Sequence, residues 1–220
     1  SCFTAPEGKV LVGADASGLV LRCLAHYLAL FGDKEYAVTV TTGDIHTANQ
    51  KAAGLPTRDA AKGFIYSMLY GAGDAKIGGL VGGGAKEGKA IKAQFLHSLP
   101  ALKRLHLGIE NALETKGMLR GLDGRPLPCR SPHSALNLLL QSAGAVIMKQ
   151  ALIEFTQMAK FPYENHANVH DETQFSCAPE HAEELGRTFC NALGKAGQVL
   201  KLHCPIDGEY SVGANWKDTH

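Results

Sequence analysis

A helical pattern that runs from about Asp44 to Glu114 is the feature that most restricts how this chain can fold. Only Pro56, the glycines at 82–84 and Pro100 interrupt its spacing of apolar residues. Segments rich in β-forming residues lie before and after this block. The pattern therefore predicts a strand, a helical middle and a mixed end.

The flanking segments can be placed one by one. Before the block, KVLVGAD (Lys9 to Asp15) predicts a strand that ends at an acid, and Leu19 to Leu30 has the apolar spacing of a helix. After the block the pattern predicts, in order, a hairpin over Met118 to Arg130 with its turn at Asp123-Gly124, a helix from about Pro132 to Met158, the strands of NVHDETQFS (Asn168 to Ser176), a helix from about Pro179 to Gly194, and a β region through Trp216.

Composition limits the class of protein. The chain has 220 residues, of which 45% are hydrophobic and 20% charged, as expected of a soluble globular protein. Its net charge of +1 argues mildly against a strongly basic nucleic-acid-binding protein, although a local basic patch is compatible with it. We expect no membrane partner, because no apolar run approaches the roughly 18 to 20 residues of a span. Six scattered cysteines without a CxxC pair predict reduced thiols of a cytoplasmic protein: Cys2, Cys23, Cys129, Cys177, Cys190 and Cys204.

The stretch NVHDETQFS contains an acid on the predicted apolar face of a strand. Read as one strand, it places Val169 and Phe175 on one face together with Asp171. A carboxylate on an apolar face needs a basic side chain or a metal ion. Asp15 ends another predicted strand, and two aspartates on neighbouring strands can bridge two magnesium ions. In the alternative interpretation, Asp15 caps the following helix and Asp171 lies in a hairpin turn.

A stripe of functional side chains recurs every four residues in RDAAKGFIYSMLYG, which follows the candidate N-cap Thr57. Arg58 and Lys62 come first, near the helix N-terminus that favours anions, and therefore suit a polyphosphate. Tyr66 and Tyr70 follow and offer flat faces for base stacking. The alternative is a solvated basic end with tyrosines packed in the core.

Two further groups of residues suit nucleic-acid binding. His46, in GDIHTANQ, is either another phosphate contact or a structural histidine. In the apolar helix after Pro132, uncharged side chains lie four residues apart, and they either face a minor groove or bond inside the protein. They are His133, Asn137 and Gln141, with Arg130 just before the helix.

Together these segments resemble a known family. DASGLVLR at 15–22, RDAAKGFIYSMLYGAG at 58–73 and VHDE at 169–172 look like motifs A, B and C of the family A DNA polymerases, those similar to bacterial polymerase I. GDIHTANQ, GLDGRPLPCRSPHSALNLLLQSAG and the ending GANW resemble the replicative branch of the short-tailed phages. The resemblance covers essentially the whole chain.

The resemblance implies an α+β fold: the right-hand polymerase architecture, with an antiparallel palm sheet and a helical fingers subdomain. Residues 1–34 and 118–220 would form the palm, and residues 35–117 the fingers. It also implies that the thumb and the exonuclease are absent. We therefore expect one part of a split or truncated enzyme, completed by a second polypeptide that supplies the thumb, the N-terminal palm and possibly the exonuclease.

The resemblance also implies a reaction: addition of deoxynucleotides to a primer 3′ end by two-metal-ion nucleotidyl transfer, with primer-template DNA as partner, two Mg²⁺ ions as cofactors and dNTPs as substrates. The implied metal ligands are Asp15, the Ala16 carbonyl and Asp171, and Glu172 would lie beside them near the primer end. The implied nucleotide-binding residues are His46, Arg58, Lys62, Tyr66 and Val20. Lys62 would also protonate the leaving pyrophosphate. The implied DNA contacts are Tyr70 at the templating position, Gly71, Arg130, Asn137, Gln141 and His170.

One residue departs from the family pattern. Val20 occupies a position in motif A where a glutamate usually packs under the sugar, so the resemblance predicts altered sugar discrimination or slower incorporation. A polymerase with relaxed sugar selectivity, like the single-subunit RNA polymerases, is thus one alternative. An inactive nucleic-acid-binding or assembly subunit is another, although it would not need both metal ligands.

Overall fold

The computed structural model describes residues 3–220, so the predicted thiol Cys2 lies outside the described residues. The described chain contains six β-strands: β1 (Val10–Ala16), β2 (Met118–Arg120), β3 (Pro126–Pro128), β4 (Glu164–Val169), β5 (Glu172–Cys177) and β6 (Gly208–Gly213). It also contains nine α-helices: α1 (Leu19–Leu30), α2 (Glu35–Thr42), α3 (Ile45–Ala53), α4 (Arg58–Leu69), α5 (Asp74–Gly79), α6 (Ala85–Ser98), α7 (Pro100–Lys116), α8 (Ala135–Met158) and α9 (Ala182–Val199). The predicted α+β class is confirmed.

The chain divides into two compact units. The sheet unit contains the chain up to Arg22 together with Ala143–His220, and the helical unit contains Cys23–Ser142. Both divisions fall within helices, α1 and α8. The domain boundaries implied by the resemblance, after residues 34 and 117, stay a prediction.

The sheet unit is built on four antiparallel strands in the order β4-β5-β1-β6. An aromatic cluster covers one face of this sheet. Phe175 of β5 is fully buried, and its ring centroid lies 4.9 Å from that of Phe155 in α8 and 5.3 Å from that of Phe189 in α9. Tyr163 completes the cluster at 5.9 Å from Phe175. Because large aromatic side chains dominate core energetics, this cluster fixes β5 in place.

The expectation that Asn168 to Ser176 forms one strand is wrong. The chain reverses at His170 and Asp171, and His170 has a φ of 55° in the left-handed region. Val169 pairs with Glu172 across this hairpin, so Val169 and Phe175 lie on opposite faces. Their exposures of 41% and 0% agree with that placement. Asp171 therefore lies in the turn, as in the alternative interpretation, and not on the inner face of a strand.

The helical unit begins its helices with local caps. The side chain of Asp44 accepts hydrogen bonds from the first-turn amides of α3, and Thr57 Oγ1 accepts one from Ala60 N at 3.1 Å to start α4. Gly54 ends α3 with a φ of 66°. Inside the unit, Phe64 of α4 packs edge-on against another phenylalanine, Phe95 of α6, at 5.1 Å. These contacts fix α4 within its unit.

Several predicted elements are confirmed and others need correction. The helix Leu19–Leu30 and the hairpin around Asp123-Gly124 are confirmed. The interruption predicted at Pro100 is confirmed, because α6 ends at Ser98 and Pro100 begins α7, as proline does at a first helical position. The helix predicted to end at Gly194 continues to Val199, because buried residues recur on one face through Gly197.

The long apolar segment Pro132–Met158 corrects another expectation. The segment has 27 residues and contains an 18-residue window with a mean hydropathy of 1.3, which is sufficient by length and composition to cross a membrane. Half of its apolar window is buried within the protein, which is also the pattern of a core helix. The expectation that no apolar run reaches span length is therefore wrong.

Candidate active site

Three carboxylates form a row across the sheet unit. Asp15, near the end of β1, pairs with Glu172 of β5 on one side and with Glu209 of β6 on the other. Directly paired residues of antiparallel strands point to the same face, so the three side chains lie together. Asp171 joins them, because the Ala16 amide donates a hydrogen bond to the Asp171 carbonyl at 2.9 Å.

This arrangement perturbs the Asp15 carboxyl. Partial burial raises its pKa, and the negative charges of Glu209, Asp171 and Glu172 raise it further, in that order. A bound cation would relieve this repulsion. The site thus has the electrostatic character of a cation site that lacks internal compensation.

Glu172 differs from its neighbours because its charge is already compensated. Gln174 Nε2 and Trp216 Nε1 donate to one carboxylate oxygen, the latter at 2.8 Å, and His220 Nδ1 lies 2.7 Å from the other. Burial alone would raise the pKa of Glu172, but these three hydrogen bonds outweigh it and the pKa falls below its usual value. Glu172 is therefore a positioned carboxylate rather than an open one.

The segment from Asn215 to His220 that compensates Glu172 lies against the sheet. Thr219 is buried, and its Oγ1 donates to Gln174 Oε1 at 3.0 Å. Gly13 makes this packing possible, since a Cβ there would overlap both the Gln174 side chain and the Thr219 backbone. The close contact explains why β1 carries a glycine two residues before Asp15.

The donor set of the sheet unit fits a hard divalent cation. Carboxylate and carbonyl oxygens are the ligands that magnesium prefers. Within residues 3–220 no group of three or more His, Cys, Asp or Glu side chains is arranged to hold a metal ion. The predicted set of Asp15, Asp171 and the Ala16 carbonyl uses only two side chains, so the residues present remain compatible with it.

The second group of predicted residues lies on α4 in the helical unit. Arg58, Lys62 and Tyr70 are exposed and Tyr66 is half-buried, whereas the opposite face of the helix is buried. Tyr70 is 53% exposed, so the alternative that both tyrosines pack in the core does not hold for it. The stripe thus presents its cations and one tyrosine to solvent.

The N-terminus of α3 lies beside that of α4. Arg58 Nε donates to Asp44 Oδ2 at 2.7 Å, and the ring of His46 lies 6.3 Å from that of Tyr66. Partial burial lowers the pKa of His46, and the positive charge of Arg58 lowers it further. A neutral imidazole is therefore favoured here. Its Nδ1 is buried and has no hydrogen-bond partner within the described residues.

Four of the predicted DNA contacts lie around the end of α4. Gln141 Nε2 donates to Tyr70 Oη at 3.4 Å, and Gly71 turns with a φ of 76° directly beneath the carbonyl of His133. Asn137 is half-buried one turn before Gln141. The structure therefore brings Tyr70, Gly71 and the start of α8 together.

The other predicted residues are placed less closely. Arg130 is exposed before α8, and His170 is exposed in the β4-β5 turn beside Asp171. Val20 is half-buried in the first turn of α1. Arg130 thus belongs to the helical unit, whereas His170 and Val20 belong to the sheet unit.

Four residues were missed from sequence. Glu209 lacks a motif signal, and only the strand register reveals it beside Asp15. Trp216 is the last residue of GANW and His220 follows it, but their contacts with Glu172 span 44 and 48 residues of sequence. Asp44 had a usable signal: an acid before an apolar-periodic helix is a typical N-cap.

Comparisons with known proteins identify the family of the chain. Residues 1–218 match the family model of DNA polymerase family A. The chain is 43% identical to the DNA-directed DNA polymerases of Enterobacteria phage T3 and Escherichia phage T7, over 96% of this chain and 33% of each relative. It is 39% identical to that of Escherichia phage Phieco32, over 98% of this chain and 41% of the relative.

A solved structure has the same fold. It is the POL domain of Pol1 from M. smegmatis in complex with DNA primer-template and dNTP, with a TM-score of 0.85 and 21% identity. The match covers 99% of this chain and 42% of that one. The chain spans about a third of the length of the T3 and T7 relatives. Because the family model matches nearly every residue, the chain belongs to DNA polymerase family A.

Proposed function

We propose that this chain carries the catalytic portion of a template-directed DNA polymerase, which adds deoxynucleotides to a primer 3′ end and releases pyrophosphate. The observation that carries the proposal is the row of carboxylates around Asp15, where burial and like charges raise the pKa of an acid at a strand end. The names of the phage relatives support it, as DNA-directed DNA polymerases.

Asp15 and Asp171, with the Ala16 carbonyl, would hold two magnesium ions. When bound, such ions activate the attacking hydroxyl and stabilise the leaving oxygen of an in-line displacement. The protein's own contribution in the sheet unit is to hold both aspartates with the backbone hydrogen bond from Ala16 and with strand register. Glu172, held by three donors, would help to position the primer end.

The α4 stripe would bind the incoming nucleotide. Arg58, Lys62 and His46 would hold the phosphates, and Lys62 would also protonate the pyrophosphate that leaves. Tyr66 would stack near the incoming base and sugar. The exposure of the two cations at the N-terminus of α4 supports this assignment, because a triphosphate needs accessible donors.

The primer-template would meet Tyr70 and Gly71 at the templating position. Gln141, Asn137 and Arg130 would contact the duplex, with His170 beside the metal ligands. Uncharged amides suit the minor groove, where acceptor atoms vary little with sequence. The half-exposed amides on the first turns of α8 support this role.

A larger assembly would complete the enzyme. We propose that the regions which relatives have outside the matched third are supplied by further sequence in the same polypeptide or by a separate one. The exposed edge strands β4 and β6 support this, because unpaired strand edges are usually covered. As a phage-like replicative enzyme it would work in the host cytoplasm.

Primer extension with magnesium tests the proposal. The chain is assayed alone and with the portion of a T7-like relative that lies outside the match, alongside Asp171→Asn. Asp207→Asn is the matched control, an exposed aspartate of the same unit whose charge does not contribute to the raised pKa of Asp15. We expect synthesis by the completed enzyme and the control, and none by Asp171→Asn despite retained DNA binding. Full synthesis by Asp171→Asn would overturn the assignment.

Relaxed sugar selectivity is a second candidate property, favoured by Val20. A valine cannot supply the carboxylate that the family pattern places under the sugar. We expect Val20→Glu to lower ribonucleotide incorporation relative to deoxyribonucleotide incorporation. Identical ratios for Val20→Glu and the natural chain would remove this candidate.

A further inference from the structure

One carboxylate links the N-termini of α3 and α4. Asp44 Oδ1 accepts hydrogen bonds from the His46 amide at 3.1 Å and the Thr47 amide at 3.3 Å. Its Oδ2 accepts from Thr47 Oγ1 and from Arg58 Nε, both at 2.7 Å. Asp44 is thus at once the N-cap of α3 and the ion-pair partner of the first residue of α4.

The geometry of the Arg58 contact matters. A guanidinium carries five N–H donors in a rigid, planar fork, and Asp44 engages only the one on Nε. Within the described residues the two terminal nitrogens make no hydrogen bond, so their four donors remain open. Paired terminal donors are the ones that bind phosphate in a bidentate manner. Asp44 therefore fixes the plane of Arg58 without occupying its phosphate-binding end.

We propose that Asp44 is a positioning residue for the triphosphate of the incoming nucleotide, acting on Arg58 through the Nε contact and on His46 through the cap of α3. The inference rests on the proposed function of Arg58 and His46 and adds a residue to it. Binding side chains are commonly oriented in this way, by a hydrogen bond from a neighbouring residue on the side that faces away from the ligand.

The charges around Asp44 agree with this role. Hydrogen bonds from Arg58 and Thr47 hold the pKa of Asp44 well below its usual range, so the carboxylate is ionised at neutral pH. The other charges of these first turns are Asp59, exposed beside Arg58 on α4, and Lys62 one turn further along. Asp59 makes no hydrogen bond to Arg58 within the described residues.

A positioning role and a simple charge effect predict opposite changes in anion affinity when Asp44 is replaced. If Asp44 acted only as a negative charge near the phosphate site, its removal would strengthen binding of an anion. If it orients Arg58 and His46, its removal weakens binding. Asp44→Ser separates the two, because serine caps a helix as well as aspartate but is too short to bridge to Arg58.

The test measures binding of inorganic tripolyphosphate with magnesium to the 220-residue chain by calorimetry. We expect Asp44→Ser to weaken binding about threefold to fivefold, the scale of one oriented exposed ion pair. Asp59→Ser, the matched control, removes the same charge without the bridge and should leave binding unchanged or stronger. Asp44→Asn keeps a cap and an acceptor and should restore most of the affinity.

The inference is overturned if Asp44→Ser binds tripolyphosphate as tightly as the natural chain or more tightly. It is also overturned if Asp44→Ser weakens binding by the same factor in a chain that already carries Arg58→Ala and His46→Gln. Circular dichroism checks that α3 remains folded in Asp44→Ser. If it does not, Asp44→Asn replaces that variant, and tripolyphosphate binding by Asp44→Asn that is no tighter than binding by Arg58→Ala counts against the role of Asp44. Arg58→Ala alone separates the levels. If it leaves tripolyphosphate binding intact, the proposed function of Arg58 fails; if it weakens binding while Asp44→Ser does not, only the role of Asp44 fails.

Discussion

Gly71 offers a sharp test of how the end of α4 is built. It follows Tyr70 with a φ of 76°, and a Cβ there would lie 2.7 Å from the carbonyl oxygen of His133. Alanine would cost about 1–2 kcal/mol for the left-handed backbone and about 1–3 kcal/mol for the overlap. A less flexible unfolded chain offsets about 0.4–1 kcal/mol of this. We therefore expect Gly71→Ala to lower the free energy of unfolding by about 1–4.5 kcal/mol.

Gly82 supplies the matched control in the same unit. Its φ is 73°, but no atom lies within 4 Å of the Cβ that alanine would add. Gly82→Ala should therefore lose only the backbone part, about 1 kcal/mol. Urea unfolding of both variants, followed by circular dichroism, measures the difference, which isolates the overlap with His133. Equal losses for the two variants would refute the idea that His133, just before α8, sets the turn after Tyr70.

Three further predictions concern the sheet unit. Phe175→Ala, in the fully buried aromatic cluster, should lower the free energy of unfolding by about 3–5 kcal/mol in urea titrations, and a loss below 1 kcal/mol would contradict that packing. Glu209→Gln removes the neighbouring charge that raises the pKa of Asp15 the most, so an NMR titration of the carboxyl groups should show a lower pKa for Asp15. An unchanged or higher pKa would contradict the carboxylate row. Trp216→Phe keeps an aromatic side chain but removes a hydrogen-bond donor to Glu172, and the lowered pKa of Glu172 stabilises the fold at pH values above the usual carboxyl range. We expect the free energy of unfolding to fall by about 1–2 kcal/mol at neutral pH, and by less as acid protonates Glu172. A decrease that does not depend on pH would contradict this account.

Local patterns predicted most of the elements. The spacing of apolar residues located α1 with its observed bounds, and Asp123-Gly124 located the β2-β3 hairpin. Period-two reasoning failed at Asp171 because it assumed one continuous strand. The turn there depends on a left-handed residue, His170, which is neither glycine nor asparagine and so gives no strong turn signal.

The candidate site was predictable only where motifs carry it. The stripe from Arg58 to Tyr70 has a fixed spacing, and both aspartates follow strand-like runs. The partners of those residues come from strand register and from contacts distant in sequence, as with Glu209 beside Asp15 and Trp216 beside Glu172. Neither composition nor periodicity encodes such pairings, because a register is set by packing across the whole sheet.

The central claim is that Asp15 and Asp171 are the acids at which nucleotide addition occurs. The most direct measurement is the rate of addition of a single nucleotide to a bound primer by the completed enzyme, in the natural form and with Asp15→Asn or Asp171→Asn. We predict that either substitution abolishes addition, while primer-template binding and the rate of the Asp207→Asn control stay unchanged. Addition at the natural rate by either variant would contradict the claim.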